Sequence, residues 1–450
     1  MAKYKAYPEY KDSGVEWLGE VPNHWKTVSI SRLFSRIKRT GYTEKELLSV
    51  YRDYGVIPKS SRDDNNNKPS EDLSPYQLVE PNDLVMNKMK AWQGSIAISE
   101  YEGIVSPAYF VYKPNNILFE LAHPRYVHYL LRNPIYVTQY LSRSKGIRVN
   151  QWDLDPDEFR NIELLLPDKT EQEKIYSFLD HETAKIDNLI EKQQQLIELL
   201  KEKRQAVISH AVTKGLNPDV PMKDSGVEWL GEVPEHWSLK SFRYACLIYR
   251  GKFGHRPRND PSLYDGDYPF IQTGDVARAS KFIETYSQTL NEKGKAVSQL
   301  FPSGTLMMAI AANIGDTAIL GFEAYAPDSV VGFKPYQNLH LEFLRYSFMA
   351  ALPALEQTST QSTQANLNID RIGAVKAVFP PLEEQLDIID YLDNMLCSYD
   401  SIEENANQAI QLLQERRAAL ISAAVTGKID VRDWIAPEAQ DVEEPQEATA

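Results

Sequence analysis

The sequence predicts an α+β chain in which two tandem mixed α/β units are separated by two long helical spacers that form an antiparallel coiled coil. Three observations predict this architecture. The chain has 450 residues, enough for about three domains. It repeats itself at long range, and each repeat ends in an unbroken helical pattern. With 42% hydrophobic and 25% charged residues, the composition is that of a globular protein and excludes a wholly disordered chain.

The repeat is visible as an identity between two distant segments. Residues 11–22 and 223–234 both read KDSGVEWLGEVP, at an offset of 212. A second pair of segments, 195–213 and 408–426, matches at an offset of 213. This period is far longer than that of a solenoid repeat, about 20–50 residues, so the chain holds two whole modules. Tandem modules imply a ligand with two sites or a partner present in two copies.

The two variable units span residues 1–166 and 218–379. Short apolar and aromatic runs, such as Tyr109 to Tyr112 and Val330 to Phe333, predict strands that are separated by turn residues. The periodic pattern from Pro124 to Leu141 predicts a helix beside them.

The helical spacers are predicted over residues 167–217 and 380–430. Gly215 and Gly427 stand just past the last turn of each, where glycine is favoured. The apolar stripes are wider than a strict coiled-coil seam, which favours contact with partner helices as well as with each other; a plain intramolecular coiled coil is the alternative. The residues expected to bind a partner are Leu189, Leu196, Leu199, Leu200, Val207, Ile402, Ile410, Leu413 and Leu420.

The net charge of −14 is unevenly distributed. Residues 429–450 contain seven acids and one base, and residues 431–450 are expected to form an acidic, disordered tail. Basic clusters lie elsewhere in the chain. The total charge sums over separate surfaces, and a given ligand contacts only some of them. The negative total is therefore weak evidence against nucleic-acid binding.

Catalytic and cofactor motifs are missing from the sequence. It contains no phosphate-binding Gly-x-x-x-x-Gly-Lys loop, no Gly-x-Gly-x-x-Gly and no zinc-protease helix. We therefore expect a chain that is not an enzyme and that needs no cofactor or metal. Two cysteines, a polar beginning and no long apolar stretch predict a cytoplasmic protein without a membrane span.

The repeated anchors resemble those of the specificity subunits of type I restriction–modification systems. The resemblance rests on the run VEWLGEVP-x-HW at 15–25 and 227–237, and on the Pro-x-x-x-Glu-Gln starts of the helical units at 167–172 and 380–385. The helical endings at 204–213 and 417–426 share it as well.

That resemblance implies a DNA-recognition subunit. Each variable unit would be a target recognition domain that reads one half of a split sequence in double-stranded DNA. The spacers would set the gap between the half-sites and dock two methyltransferase subunits, and motor–nuclease subunits would join for cleavage. A duplicated DNA-binding scaffold or adaptor outside restriction is the competing interpretation.

Residues that read DNA should lie where the two halves differ, because the halves read different bases. Arg and Lys suit phosphates and guanine, whereas Gln and Asn suit adenine. In the first unit we expect DNA contacts from Arg36, Lys38, Arg39, Lys88, Lys90, Trp92, Gln93, Arg143, Lys145 and Arg148. In the second unit we expect them from Arg250, Lys252, His255, Arg256, Arg258, Gln272, Thr273, Asp275, Asn313, Gln361, Thr363 and Asn366.

Overall fold

The computed structural model describes residues 4–52, 54–62, 69–148, 151–312, 314–357 and 367–436. The chain divides into two compact units. Unit 1 combines residues up to 193 with those from 408 onward, and unit 2 comprises residues 194–407. Each unit therefore holds one variable region together with parts of both helical spacers.

Unit 1 contains a four-stranded antiparallel sheet of order β4-β11-β8-β9. Its strands are β1 (Tyr10–Asp12), β2 (Glu20–Pro22), β3 (Lys26–Ser29), β4 (Phe34–Ile37), β5 (Leu48–Tyr51), β6 (Gly55–Pro58), β7 (Gln77–Val79), β8 (Leu84–Asn87), β9 (Ile96–Ile98), β10 (Gly103–Val105), β11 (Tyr109–Pro114), β12 (Ser144–Arg148), β13 (Gln151–Leu154) and β14 (Glu163–Leu166). Its helices are α1 (Ile30–Leu33), α2 (Asn116–Leu121), α3 (Pro124–Leu131), α4 (Pro134–Ser142), α5 (Pro156–Arg160) and the start of α6 (Lys169–Lys214).

Unit 2 repeats this plan, and its main sheet has one additional strand. Its strands are β15 (Met222–Asp224), β16 (Glu232–Pro234), β17 (Ser238–Ser241), β18 (Cys246–Arg250), β19 (Tyr264–Phe270), β20 (Phe282–Ile283), β21 (Gln288–Leu290), β22 (Gln299–Phe301), β23 (Leu306–Ala309), β24 (Thr317–Leu320), β25 (Ala324–Ala326), β26 (Val330–Pro335) and β27 (Lys376–Phe379). Its helices are α7 (Phe242–Ala245), α8 (Thr273–Arg278), α9 (Glu292–Val297), α10 (Leu341–Gln357), α11 (Ile369–Ala374) and the first part of α12 (Leu382–Val425). The main sheet has the order β18-β26-β23-β24-β20, so β20 is a fifth strand that pairs parallel with β24.

The two long helices begin with the same structure. In unit 1 the Gln172 amide accepts from the backbone N–H of His123 (2.8 Å) and donates to the carbonyls of Leu121 (2.9 Å) and Pro167 (2.8 Å). In unit 2 the buried Gln385 accepts from the N–H of His340 (2.8 Å) and binds two carbonyls in the same way. The repeated Glu-Gln pair thus ties each spacer to its variable unit by satisfying buried backbone groups.

The glutamate of each Glu-Gln pair accepts a hydrogen bond from the last tryptophan of the anchor. Trp25 Nε1 donates to Glu171 Oε1 (3.0 Å) in unit 1, where Tyr7 Oη donates to the same oxygen (2.6 Å). In unit 2 Trp237 Nε1 donates to Glu384 (2.9 Å). The earlier tryptophan of the anchor, Trp17, packs on Tyr136 of α4 instead. The histidine before this last tryptophan binds the same glutamate, so the His-Trp end of the anchor contacts the spacer in both halves.

Both long helices end in the predicted glycines. Gly215 and Gly427 adopt φ of +78° and +71°, the left-handed conformation expected at this position. A Cβ at Gly215 would lie 3.2 Å from the ring of Trp237, and one at Gly427 would clash with Pro22 at 2.4 Å. The end of α6 thus packs under the unit 2 anchor, and the end of α12 packs under the unit 1 anchor.

The two long helices pack together within each unit. In unit 1 Arg417 of α12 makes a bidentate ion pair with Asp187 of α6 (2.8 and 3.2 Å). In unit 2 the repeat-related residues Arg204 and Asp400 form an ion pair. Along an antiparallel helix pair, the residue number falls on one helix by as much as it rises on the other. From the Asp187–Arg417 pair to the Arg204–Asp400 pair both numbers change by 17, so both units have the same register. The predicted antiparallel pairing of the spacers is confirmed.

The Arg417–Asp187 pair should contribute little to stability. Both side chains are partly exposed, and exposed ion pairs typically contribute about 0.2–1 kcal/mol. A double-mutant cycle with Arg417→Ala and Asp187→Ala in urea unfolding should give a coupling energy in that range, which 0.5 M NaCl would largely remove. A coupling well above about 2 kcal/mol would contradict this expectation.

Two details differ from the sequence prediction. The helix expected from Pro124 to Leu141 is broken into α3 and α4, because the Asn133 side chain caps a new helix that begins at Pro134.

The disordered tail predicted from residue 431 does not apply to its first residues. Val431 is buried, Asp430 N donates to the Lys5 carbonyl (2.8 Å), and Trp434 packs edge-on against Phe178. Residues 437–450 lie outside the described part of the chain.

Among the described helices, none combines the length and the apolar character that crossing a membrane requires.

Candidate nucleic-acid interface

In unit 1 the structure brings one group of predicted residues together. Lys88 and Lys90 follow β8, and a 3₁₀ turn (Ala91–Gln93) carries Trp92 and Gln93. This turn closes at Gly94, whose φ of +92° favours glycine. The turn lies against the β12–β13 hairpin, because Leu154 N donates to the Lys88 carbonyl (3.2 Å).

The hairpin adds further cations and an aromatic ring to the same place. Trp152 of β13 packs edge-to-face on Trp92, with ring centroids 5.0 Å apart. Lys145 of β12 is exposed and lies 3.4 Å from Asp155. Arg143 donates to the Gln139 carbonyl (3.3 Å). Arg148 belongs to β12, but its side chain lies outside the described part of the structure.

The predicted residues on β4 and just after it divide into two kinds. The Arg36 guanidinium lies 4.0 Å above the centroid of the Phe110 ring, and Lys38 is exposed. Arg39 instead binds the carboxylates of Glu80 and the buried Asp83. Burial raises the pKa of Asp83 to about 7, and the Arg39 guanidinium opposes this rise. Arg39 is therefore held by two carboxylates of its own unit, and this pairing gives it a structural role that the sequence prediction did not include.

In unit 2 the predicted arginines gather around one aspartate. Arg258 binds the Asp328 carboxylate (2.6 and 2.7 Å), and Arg256 lies 3.7 Å from it. Arg250 Nε donates to the Asp328 carbonyl (2.7 Å). Two guanidinium groups therefore lie at the Asp328 carboxylate and a third at its backbone carbonyl, which leaves an excess of positive charge. Lys252 is exposed in the same loop, and His255 binds Asp260 (3.1 Å).

A cleft of about 550 Å³ opens beside Arg258. Its lining includes Arg258, Asn259, Tyr264, Gln272 and Gln288. The amides of Gln272 and Gln288 are hydrogen-bonded to each other, so each is held in place and can present its remaining donor and acceptor. Side chains of this chemistry match the edges of bases.

The other predicted residues of unit 2 have different surroundings. Asp275 is buried and closes a capping box at the start of α8, where it accepts from Gln272 N (2.8 Å). It also pairs with Arg278, so the structure gives Asp275 a capping function in place of the predicted DNA contact. Thr273 is half-buried in the first turn of α8. The residues Asn313, Gln361, Thr363 and Asn366 lie outside the described residues.

Within the described residues, no group of three or more His, Cys, Asp or Glu side chains is arranged to hold a metal ion.

The family model for the type I restriction modification DNA specificity domain matches residues 22–199 and 251–412. These two matches cover most of each variable unit and more than half of the chain. The chain belongs to this family. It is thus a DNA-recognition subunit of a type I restriction–modification system, and its role in such a system is not catalytic.

Relatives of the specificity family match along almost the whole chain. This chain is 20% identical to the type I restriction enzyme StySPI specificity subunit of Salmonella potsdam over 436 residues, and the match covers 91% of this chain and 90% of that protein. It is 19% identical to the EcoKI specificity subunit of Escherichia coli strain K12 over 441 residues, with the same coverage.

Solved structures show the same fold. A chain from a study of complex assembly and conformational transition in the type I R-M system gives a TM-score of 0.62 at 17% identity, covering 90% of this chain and 98% of that one. The HsdS subunit from Thermoanaerobacter tengcongensis gives a TM-score of 0.50 at 16% identity, covering 91% and 98%. The predicted α+β architecture of a specificity subunit is confirmed.

The helix residues expected to bind partners fall into two classes in this specificity subunit. Leu189, Leu199 and Ile402 are exposed to 47%, 57% and 41%, and Leu196 is exposed as well. The remaining predicted residues, Leu200, Val207, Ile410, Leu413 and Leu420, are buried or half-buried. The prediction omitted Leu412, which is 59% exposed.

Sequence reasoning also missed several residues at the candidate interface. Trp152, Asn259, Tyr264, Gln288 and Asp328 lie beside predicted residues. Gln288 and Asp328 come from parts of the chain that are distant in sequence, and Asn259 and Tyr264 carry no charge that would single them out. The one usable signal was Trp152, a tryptophan close to Arg148 and Lys145. An aromatic residue among basic ones is typical of nucleic-acid binding.

Proposed function

We propose that each unit of this specificity subunit reads one half of a two-part target in double-stranded DNA, and that two methyltransferase subunits dock on its helices. Motor–nuclease subunits would join this assembly for cleavage, and the complex would act in the cytoplasm. The recognition domains would end at residues 166 and 379, just before the two long helices begin at Lys169 and Leu382.

The observation that carries the half-site proposal is that the two units share a fold but differ at the candidate interface. Unit 2 presents arginines around Asp328 beside a cleft with Gln272 and Gln288. Unit 1 presents lysines and two packed tryptophans on a 3₁₀ turn and a hairpin. Different side chains on equivalent scaffolds suit different base sequences.

We assign roles by chemistry. The exposed lysines and the arginines around Asp328 would bind phosphates or guanine edges, because guanidinium groups form bidentate contacts with both. Gln272, Gln288 and Gln93 would bind bases, adenine above all, because an amide can both donate and accept at its major-groove edge. Asp328 would act as a positioning residue that keeps the guanidinium groups in fixed orientations.

A matched pair of substitutions tests the division into half-sites. Gln272→Ala should relax recognition at one half-site, and Gln93→Ala should relax the other. The loss of a good bidentate base contact is worth about 1–3 kcal/mol, or about 5–150-fold in discrimination. Sequencing of methylated sites in a host that expresses each variant measures both effects.

The exposed Lys240→Ala is a suitable control, because it lies on β17 away from the cleft. It should leave the methylated sequence unchanged. If Gln272→Ala alone altered both half-sites, or neither, the assignment of one half-site to unit 2 would be wrong.

Docking of two methyltransferases is supported by repeated exposed leucines and isoleucine on the helices. Unit 1 exposes Leu189 and Leu412, and unit 2 exposes Ile402 and Leu199. Leu189 and Ile402 are related by the repeat offset, and so are Leu199 and Leu412. In the shared register Leu189 lies within one helical turn of Leu412, and Leu199 within one turn of Ile402, about 5 Å along the axis. Two equivalent apolar patches suit two copies of one partner.

A further inference from the structure

A groove of about 720 Å³ opens in unit 1 beside helices α3 and α6. It is separate from the candidate DNA interface. The lining residues that matter here are Phe119, Arg125, Arg132, Lys169, Asp180 and Arg417.

The groove has an excess of positive charge. Four cationic side chains line it, against the carboxylates of Glu100 and Asp180; one of the four, Arg417, is also paired with Asp187. Arg125 pairs with Asp180 (2.9 Å), but its side chain remains about half exposed. Behind the wall, burial and the neighbouring Arg132 lower the pKa of His128 to about 3, so that imidazole adds no charge near neutral pH. An anionic occupant is therefore favoured.

Unit 2 shows what fills the equivalent place in the other repeat. There the fifth strand, β20, pairs with β24, and Lys281 just before it bridges Glu342 (2.6 Å) and Asp393 (2.7 Å). In unit 1 the sheet order ends at β9, the counterpart of β24, and Ile98 of that strand lines the groove. One unit thus extends this edge with a strand of its own chain, whereas in the described part of unit 1 no strand pairs with β9 beyond β8, although the residues of β9 are buried.

The groove of unit 1 and the equivalent place in unit 2, where Lys281 binds, differ in charge at one position. Asp180 corresponds to Asp393 at the offset of 213, but Arg125 stands where unit 2 has Glu342. Arg125 and Glu342 each lie two residues after a histidine. In both cases the backbone N–H of the later residue donates to Nδ1 of that histidine at 3.3 Å, so the two positions correspond. A site that accepts a lysine in unit 2 has therefore become one that suits carboxylates in unit 1.

The chain itself contains a segment of the required chemistry. Residues 437–450, here called the acidic segment, contain Glu438, Asp441, Glu443, Glu444 and Glu447 and no lysine or arginine. The described chain leads into it from unit 1, where Lys174 Nζ donates to the Trp434 carbonyl (3.2 Å).

The acidic segment is long enough to reach the groove. Fourteen extended residues span about 46–50 Å. The path to the groove can be measured from Phe178, on which Trp434 packs. Lys169 lies about 14 Å from Phe178 along the axis of α6, and a path halfway around the helix adds about 17 Å. We propose that the acidic segment binds in the unit 1 groove of its own chain.

Photo-crosslinking in the full-length chain tests this proposal. A benzoylphenylalanine in place of Phe119, which is exposed and lines the groove, should crosslink to peptides from residues 437–450 of the same chain. Replacing the five acids by their amides (Glu438→Gln, Asp441→Asn, Glu443→Gln, Glu444→Gln, Glu447→Gln) should lower the yield at least tenfold. So should Arg125→Glu combined with Lys169→Glu, or 0.5 M NaCl, because the attraction is electrostatic.

The matched control places the same photoreactive residue at Leu141, which is about equally exposed but lies outside the groove. It should give no such crosslink. Circular dichroism of each variant establishes that it is folded. The proposal is overturned if Phe119 and Leu141 positions crosslink the segment equally, if neutralising the five acids leaves the yield unchanged, if no crosslink reaches residues 437–450, or if the crosslinks join two different chains.

Discussion

Leu199→Asp is expected to remove one methyltransferase copy from the assembly while the chain itself stays folded. Leu199 is 57% exposed, so a carboxylate there remains hydrated. At an apolar contact with a partner it would instead be buried without a counter-charge. The loss of one central contact residue costs about 2 kcal/mol or more, at least a 30-fold weaker contact. Native mass spectrometry should show one copy in place of two.

The internal repeat supplies the comparisons for this experiment. Leu412→Asp should remove the other copy, and the double variant should remove both. Gln194→Asp, on an exposed position of α6, should change nothing. Leu200→Asp should act differently, because Leu200 is only 7% exposed and its replacement would place a charge inside the helix pairing, which should unfold that region. An unchanged assembly in the Leu199→Asp, Leu412→Asp double variant would eliminate these helix surfaces as docking sites.

Glu171→Ala should destabilise unit 1 by about 2–6 kcal/mol. The side chain of Glu171 is almost fully buried and accepts from Tyr7, His24 and Trp25. Its removal leaves the buried Tyr7 hydroxyl and Trp25 N–H without an acceptor, at about 1–3 kcal/mol each. Burial and the same carboxylate raise the pKa of Tyr7, so its hydroxyl stays protonated as the donor. The measurement is urea unfolding of the full chain.

The equivalent residue of unit 2 is the control. Glu384 accepts from His236 and Trp237, but its side chain is 40% exposed, so water can replace it when it is removed. Glu384→Ala should therefore cost about 1 kcal/mol. Equal losses for the two variants would mean that burial of Glu171 does not govern its contribution.

The large-scale organisation was predictable because it rests on local patterns. Identical anchors, helical periodicity and the glycines at 215 and 427 each depend on residues close together in sequence. The helix break at Pro134 was missed because the apolar period continues through it, although Asn133 and Pro134 together are a helix-start signal.

The interface was less predictable because charge alone does not reveal its partner. Arg39 and Arg36 look alike in sequence, but Arg39 meets carboxylates 41 and 44 residues away, whereas Arg36 stacks on Phe110. Similarly, Leu199 and Leu200 are neighbours in one apolar run. Only the position of the facing helix decides which of them is buried.

The division of unit 1 between two distant stretches of chain reverses the order in which the halves can mature during synthesis. Residues 194–407 of unit 2 are contiguous, whereas unit 1 waits for Ile429 and Val431, which fill its core. At about 5–20 residues per second, a ribosome that has passed residue 193 needs about 12–50 s to deliver them. The repeat translated first is thus completed last, and a stop codon introduced between residues 408 and 429 would leave unit 2 whole but remove part of the core of unit 1.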